Sequence, residues 1–323
     1  MNKTAKAITL LMLSLCLVAG TFAQGTLMAK KPFFAGFAQD TLNQPWRNYQ
    51  AVCVERELKK FPGVKVMVTD GLGRAEKQIS DVEDMVARGV NILLISPAQE
   101  GALTPIVSQV YRSGIPVVLV DRGITSQDYT CFVKGDNVKT GIMAADYIAA
   151  QLTIKYGSPK GNLVIIEGVP GSTTSVERDK GLKGRLAEAY PNIKVLASQP
   201  GDYRRDKAMA IMEDYLQTFP KIDAMITYAD ESTMGALYAV ENAKRRNEMI
   251  IGSVNATTEA IKAILDGRMD FSILYSNCAA KGVEMAVRIM NGETVPKVIV
   301  VDPVNITKEN AKSYYQEGKY SAD

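Results

Sequence analysis

An aspartate and an arginine stand side by side at Asp121-Arg122, directly after the apolar run at 117–120. Asp40, Gln44, Trp46 and Arg47 hold a comparable place after the run at 33–37, as do Ser96 and Gln99 after 91–95. In the second half, Ser172, Arg178, Tyr203, Asp230, Asn255, Tyr275 and Asn277 follow later apolar runs. Carboxylates accept from hydroxyls, amides accept and donate, guanidinium donates in a fixed fork, and aromatic faces cover the C–H surface of a ring. Such a mixed set suits a neutral polyhydroxylated ligand. Trp46, the only tryptophan, lies in a polar stretch, where it is either a stacking platform or a packing residue at a helix start. Asp121-Arg122 reads either as a surface ion pair worth at most about 1 kcal/mol or as a carboxylate bridging two hydroxyls with a guanidinium beside it. Arg178 is expected to open a helix, where a cation is disfavoured, which points to another role.

Histidine is absent. That removes Ser-His-Asp and Cys-His nucleophilic catalysis, His-ligated zinc and imidazole bases. Carboxylate-pair hydrolysis stays open, because Asp and Glu are plentiful. Cys53, Cys131 and Cys278 are widely spaced and form no Cys-x-x-Cys, and Cys53 and Cys131, in apolar runs, read as buried small hydrophobes. Gly71 and Gly73 lack the third glycine of a dinucleotide fingerprint, so a turn is the better reading. No cofactor or metal is expected. The formal net charge of +3 is spread without a basic cluster, which argues against a nucleic-acid partner.

Lys3 and Lys6 precede an apolar run at 8–18 that ends in Ala19-Gly20-Thr21-Phe22-Ala23. A cationic head, a core too short to span a bilayer and a small-residue exit make residues 1–23 a secretory signal peptide, cleaved near Ala23. Lipid anchoring at Cys16 is disfavoured, since Leu15 before it is not small. A periplasmic location follows.

These polar residues need a scaffold, and the apolar pattern supplies one. Strands are expected at 33–37, 64–68, 91–95 and 115–120, with helices at 49–61, 75–88 and 103–113 between them. The alternation restarts with a helix at 139–156 and runs through strands at 162–166, 193–197, 223–227, 249–252, 271–274 and 298–301. Helices at 178–190, 207–219, 233–243, 258–266 and 279–290 separate those. Strands apolar on both faces between helices of this length mean βαβ units and a parallel sheet covered on both sides. The predicted class is α/β: two Rossmann-like lobes with doubly wound parallel sheets. In such sheets ligands bind beyond the carboxyl ends of the strands.

Several stretches, in order and spacing, resemble periplasmic sugar-binding proteins of the ribose-binding type, receptors for ABC importers. They are Thr41-Leu42-Asn43-Gln44-Pro45-Trp46, Ile92-Leu93-Leu94-Ile95-Ser96-Pro97, Ile115-Pro116-Val117-Val118-Leu119-Val120-Asp121-Arg122, Gly135-Asp136-Asn137, Glu177-Arg178-Asp179-Lys180-Gly181-Leu182, Ala229-Asp230-Glu231 and Met234-Gly235-Ala236-Leu237. The resemblance implies a three-crossing hinge, with crossings near 134–137, 275–277 and 303–305. The lobes would be 24–135 plus 276–303 and 136–275 plus 304–323. It also implies a ligand site of Asp40, Gln44, Trp46, Arg47, Asp121 and Arg122 from the first lobe. Arg178, Tyr203, Asp230, Asn255 and Tyr275 would come from the second lobe and hinge. Where ribose binders carry a second aromatic, an asparagine and a glutamine, this chain has Arg47, Ala229 and a residue near Tyr275. A late aspartate is replaced by Asn255. The implied ligand is therefore another pentose or hexose, a polyol or cyclitol, or a furanose-like molecule. The implied protein is a monomeric receptor, not an enzyme, that hands its ligand to an ABC permease; a chemoreceptor or sensor kinase is the alternative partner.

Overall fold

The computed structural model describes residues 28–317 and 319–321. The expected leader at 1–23 and Cys16 lie outside the described residues. Two six-stranded sheets organise the chain. In the first, β1 (Phe33–Gln39), β2 (Val64–Asp70), β3 (Ile92–Ile95), β4 (Val117–Val120), β5 (Cys131–Gly135) and β11 (Val298–Val301) run in the order β11-β5-β4-β3-β1-β2. In the second, β6 (Gly161–Glu167), β7 (Ile193–Pro200), β8 (Ala224–Thr227), β9 (Ile250–Asn255), β10 (Phe271–Leu274) and β12 (Val304–Thr307) run in the order β12-β10-β9-β8-β6-β7. All described ladders are parallel except β10 with β12.

The period-2 alternation of each strand feeds two cores per sheet. Ala35, Phe37, Ile92, Leu94, Val118, Val120, Cys131 and Val133 face α1 (Pro45–Lys59) and α9 (Ala279–Met290). Ala38, Leu93, Ile95, Val117, Leu119 and Phe132 face α2 (Ala75–Ala87) and α3 (Glu100–Arg112). The second sheet repeats this. Leu163, Ile165, Ala224, Ile226 and Ile273 meet α4 (Asn137–Tyr156) and α5 (Thr173–Ala189). Val164, Ile166, Met225 and Ile251 meet α6 (Arg205–Thr218), α7 (Asp230–Asn242) and α8 (Thr258–Leu265). Strands buried on both faces explain why the expected runs contain almost no polar residues.

The chain passes from one sheet to the other between β5 and α4, between β10 and α9, and between β11 and β12. Two segments escaped the sequence reading: β5, which contains Lys134, and β12, whose partly exposed residues carry little apolar signal. The short α10 (Ala311–Tyr314) also went unread. Six helices, α1 and α3 to α7, begin earlier than their apolar pattern indicates, α1 and α5 by the most. Helix α1 starts at Pro45, because proline at N1 needs no N–H donor there and presets φ. Helix α5 starts at Thr173, so Arg178 sits in its second turn, and the argument from a cation at a helix start does not apply.

Helices α4 and α5 pack backbone against backbone. A Cβ on Gly181 would lie 2.1 Å from the Val138 carbonyl oxygen, and one on Gly141 2.2 Å from that of Arg178. Gly181→Ala should therefore force the pair apart and lower stability by about 1–3 kcal/mol. Urea unfolding measures this, and an unchanged midpoint would mean the two helices can separate without cost.

Candidate ligand site between the two sheets

A cleft of about 380 Å³, counting the space open to solvent at its mouth, lies between the lobes, lined by Gln44, Trp46, Arg47, Asp121, Thr174, Arg178, Tyr203, Ala229, Glu231, Asn255 and Tyr275. All but Tyr275 sit at the carboxyl end of a strand or in the helix that follows it, and Tyr275 follows β10 on the second crossing. The orders of both sheets reverse between β1 and β3 and between β6 and β8, which opens a crevice there.

The first-lobe wall is a pair of crossed ion pairs. The Arg47 guanidinium donates through Nη1 to Asp121 Oδ2 at 2.6 Å, and its Nε lies 3.5 Å from Asp40 Oδ1. Arg122 donates through Nη1 to Asp40 Oδ2 at 2.7 Å. All four side chains are buried. Burial pulls the Arg47 pKa down, but Asp40 and Asp121 more than reverse this and hold it above its ordinary value. The expected alternative of a surface pair between Asp121 and Arg122 is thereby corrected: each pairs with a different residue, and neither is at the surface. Ser96 and Gln50 also contact Arg47, and Gln50 is clamped by Gln39 and by the Asn277 carbonyl.

Tyr275 joins the two halves. Its hydroxyl donates to Asp121 Oδ1 at 2.6 Å and accepts from Asn137 Nδ2 at 3.1 Å. Burial, with Asp121 beside it, pushes this phenol well above its usual pKa, so it stays a donor. The Arg178 guanidinium lies 4.4 Å over the Tyr275 ring and donates to Asn137 Oδ1 and to the Tyr228 carbonyl. Trp46 packs 6.1 Å from Tyr275, with the Arg47 guanidinium 4.8 Å from its own ring. On the second-lobe side, the hydroxyls of Thr174 and Tyr203 meet at 3.0 Å, and Glu231 accepts from Arg205 at 2.5 Å and from the Tyr320 hydroxyl at 3.0 Å. Rim contacts hold the lobes together: Gln44 Nε2 donates to the Asp202 carbonyl at 3.1 Å, Gly123 N donates to Thr173 Oγ1 at 3.2 Å, and Thr173 donates to Glu100.

Three lining residues have φ in the left-handed region: Asp121 at 70°, Tyr203 at 59° and Asn255 at 117°. Non-glycine residues there cost about 1–3 kcal/mol each and persist only where the surroundings over-determine them. Their concentration around one cleft makes it the candidate functional site.

Eight of the eleven residues expected in the site line the cleft. Asp40, Arg122 and Asp230 do not. Asp40 and Arg122 stand behind Arg47 as its electrostatic support. Asp230 turns away from the cleft: its carboxylate accepts from Thr257 N at 2.6 Å and from the Ser272 hydroxyl at 2.8 Å. Its neighbour Glu231 points into the cleft instead, because successive helical positions diverge by about 100°. Asp230 and Glu231 occupy the first turn of α7, and only that start reveals which acid faces inward. Thr174 was likewise missed, because α5 begins before the expected start.

Burial pushes the Asp230 carboxyl up to about 6 from an ordinary 3.8, against the pull of its hydrogen bonds. The folded state thus holds this proton more tightly than the unfolded state. The resulting stability is fully present below about pH 4 and is lost as pH rises through about 6, a change on the order of 3 kcal/mol. Asp230→Asn keeps an acceptor for Thr257 N and should flatten this decline. Urea midpoints measured from pH 4 to 8 test it; a wild-type slope retained in the variant would assign the decline to other groups.

The family model describing a periplasmic binding protein domain matches residues 35–294. The chain is 30% identical over 311 residues to the ribose import binding protein of Salmonella typhimurium, covering 96% of this chain and 99% of that one. It is 34% identical over 273 residues to the ribose import binding protein of Bacillus subtilis, covering 84% and 86%. Its structure superposes on the fructose binding periplasmic domain of a hybrid two component system with a TM-score of 0.81 and 31% identity, over 87% of this chain and 92% of that one. Two mostly parallel sheets, the crevice between them and these matches agree: the chain belongs to the periplasmic binding protein family, among the relatives of the ribose import binding proteins.

Proposed function

We propose that this protein is a receptor that captures a compact neutral sugar or polyol between its lobes and delivers it to an ABC importer in the membrane. The observation that carries this reading is the balanced polar wall. Arg47 is neutralised by Asp121, Arg122 by Asp40, and both pairs are fixed before a ligand arrives. A prearranged set of donors and acceptors with no large net charge recognises hydroxyls at little reorganisation cost. Asp121, Glu231 and Asn255 are the acceptors assigned to ligand hydroxyls, with Gln44, Arg47 and Arg178 as donors and Trp46 and Tyr275 as ring covers.

Closure follows as a population shift: ligand bound to one lobe gains the other lobe's hydrogen bonds only when the cleft shuts. The names of the ribose-importing relatives support the transport role, and periplasmic delivery after export accords with them. A second reading, a sensor input domain, is favoured by the likeness to the two-component fructose-binding domain. Both readings share the binding chemistry, and neither requires turnover.

Titration of the purified chain, unfolded and refolded to strip bound ligand, with D-ribose, L-arabinose, D-fructose, D-galactose, xylitol and myo-inositol should give a saturable change in Trp46 fluorescence with one class. Asp121→Asn removes the charge that anchors Arg47 and should weaken that binding about 100-fold, as expected for loss of a buried charge-assisted contact. A flat response to every member by folded protein would overturn the sugar reading. An unaltered Kd in the variant would remove Asp121 from the site.

A further inference from the structure

The C-terminal segment reaches the cleft from outside both sheets. It is anchored on the second lobe: Thr258 N donates to the Tyr320 carbonyl at 2.9 Å, the Thr258 hydroxyl donates to the Gln316 carbonyl at 3.3 Å, and Ser321 forms an antiparallel bridge with Thr257. From that anchor the Tyr320 side chain makes contacts in two directions. Its hydroxyl donates to Glu231 Oε1 at 3.0 Å, and Arg205 holds the other carboxylate oxygen at 2.5 Å. Its ring lies 5.2 Å from that of Tyr49 on α1 of the first lobe and packs against the cluster of Trp46, Val254 and Tyr275. Glu231, Trp46 and Tyr275 all line the cleft.

We propose that Tyr320 is a positioning residue of the ligand site, holding the Glu231 carboxylate toward the bound hydroxyls and clasping the closed lobes through Tyr49. This rests on the reading of the cleft as a sugar or polyol site and assigns part of its specificity to the C-terminal segment. The chemistry is directional. Arg205 and Tyr320 occupy one lone pair on each carboxylate oxygen, so the remaining lone pairs face the cleft as acceptors. A ligand with a hydroxyl at that point gains a charge-assisted hydrogen bond, whereas a deoxy analogue leaves the acceptor dry and unmet. The clasp is specific to the closed form, since Tyr320 travels with the second lobe and Tyr49 with the first.

The test compares the full chain with Tyr320→Phe, Glu231→Gln and the double variant, by calorimetric titration with whichever sugar or polyol of the same panel binds the wild type. Tyr320→Phe keeps the ring and should weaken binding about tenfold, the range for a hydrogen bond to a charged group. The double variant should be no weaker than the worse single, because both changes break one arrangement. A lower urea midpoint with an unchanged Kd in Tyr320→Phe, or fully additive losses, would overturn the positioning role. Should the wild type bind no member of the panel, the sugar reading fails by itself, and the clasp is then read in the ligand-free chain. There Tyr320→Ala should increase acrylamide quenching of Trp46, and unchanged quenching would overturn the clasp as well.

Discussion

The burial of Arg47 is the constraint on which the rest of the site depends. A guanidinium enclosed by protein needs anionic partners or well-placed neutral acceptors, because its desolvation costs several kcal/mol. Asp121 supplies the close partner and Asp40 the second, and Asp40 in turn pairs with Arg122. Each residue of this set thereby constrains another. Asp121 also accepts from Tyr275 on the crossing between sheets, and Arg178 of the second lobe stacks on that ring. One chain of charge and hydrogen bonds therefore runs from α1 through the hinge to α5. Gly135 belongs to it sterically: a Cβ there would lie 2.1 Å from the Tyr275 ring, so the first crossing must lack a side chain for the second to pack against it.

The strained backbone fits the same logic. At Asp121 the chain leaves β4 through a left-handed residue, which turns the carboxylate back toward Arg47 instead of letting it continue along the strand. The opposing pull of a buried guanidinium offsets the conformational cost, since a charge left unpaired would cost more than the strain. At Asn255 the residue type itself helps, as asparagine tolerates positive φ better than most side chains. Tyr203 has no such allowance. Its hydroxyl contact with Thr174 and its burial beneath α5 hold it in place.

The fold was legible because it rests on one-dimensional patterns. Runs such as Ile92–Ile95 and Val117–Val120, apolar on both faces, β-branched and too short for helices, read as central parallel strands, and most helices between them follow from their apolar spacing. The site was legible by place but not by direction. That polar residues after the strands would gather in a crevice follows from topology, and eight of those expected do line it. Whether a side chain faces in or out depends on local starts that apolar periodicity does not record. The first turn of α7 sends Asp230 to Ser272 and Thr257 while Glu231 enters the cleft, and the early start of α5 brings in Thr174. Arg122 and Asp40 were expected as ligand contacts from their place after a strand and from the family resemblance, yet Arg47 takes the wall position and leaves them behind it.

The rim contacts set how firmly the empty protein is closed. Gln44 with Asp202, and Thr173 with Gly123 and Glu100, are ordinary hydrogen bonds that water can replace when the cleft opens. Each contributes a net of about 0.5–1.5 kcal/mol, which opposes the ordering of side chains on both lips. Opening would also separate the first-lobe wall from Arg178 and Glu231, whose own partners Asn137 and Arg205 remain with the second lobe. Each half of the site therefore stays internally satisfied when apart, so the empty lobes are held shut only by these rim bonds and the contact of Tyr320 with Tyr49. A ligand whose hydroxyls bridge Asp121 on one side and Arg178 on the other supplies the missing differential affinity, which is the only free energy that can shift such an equilibrium.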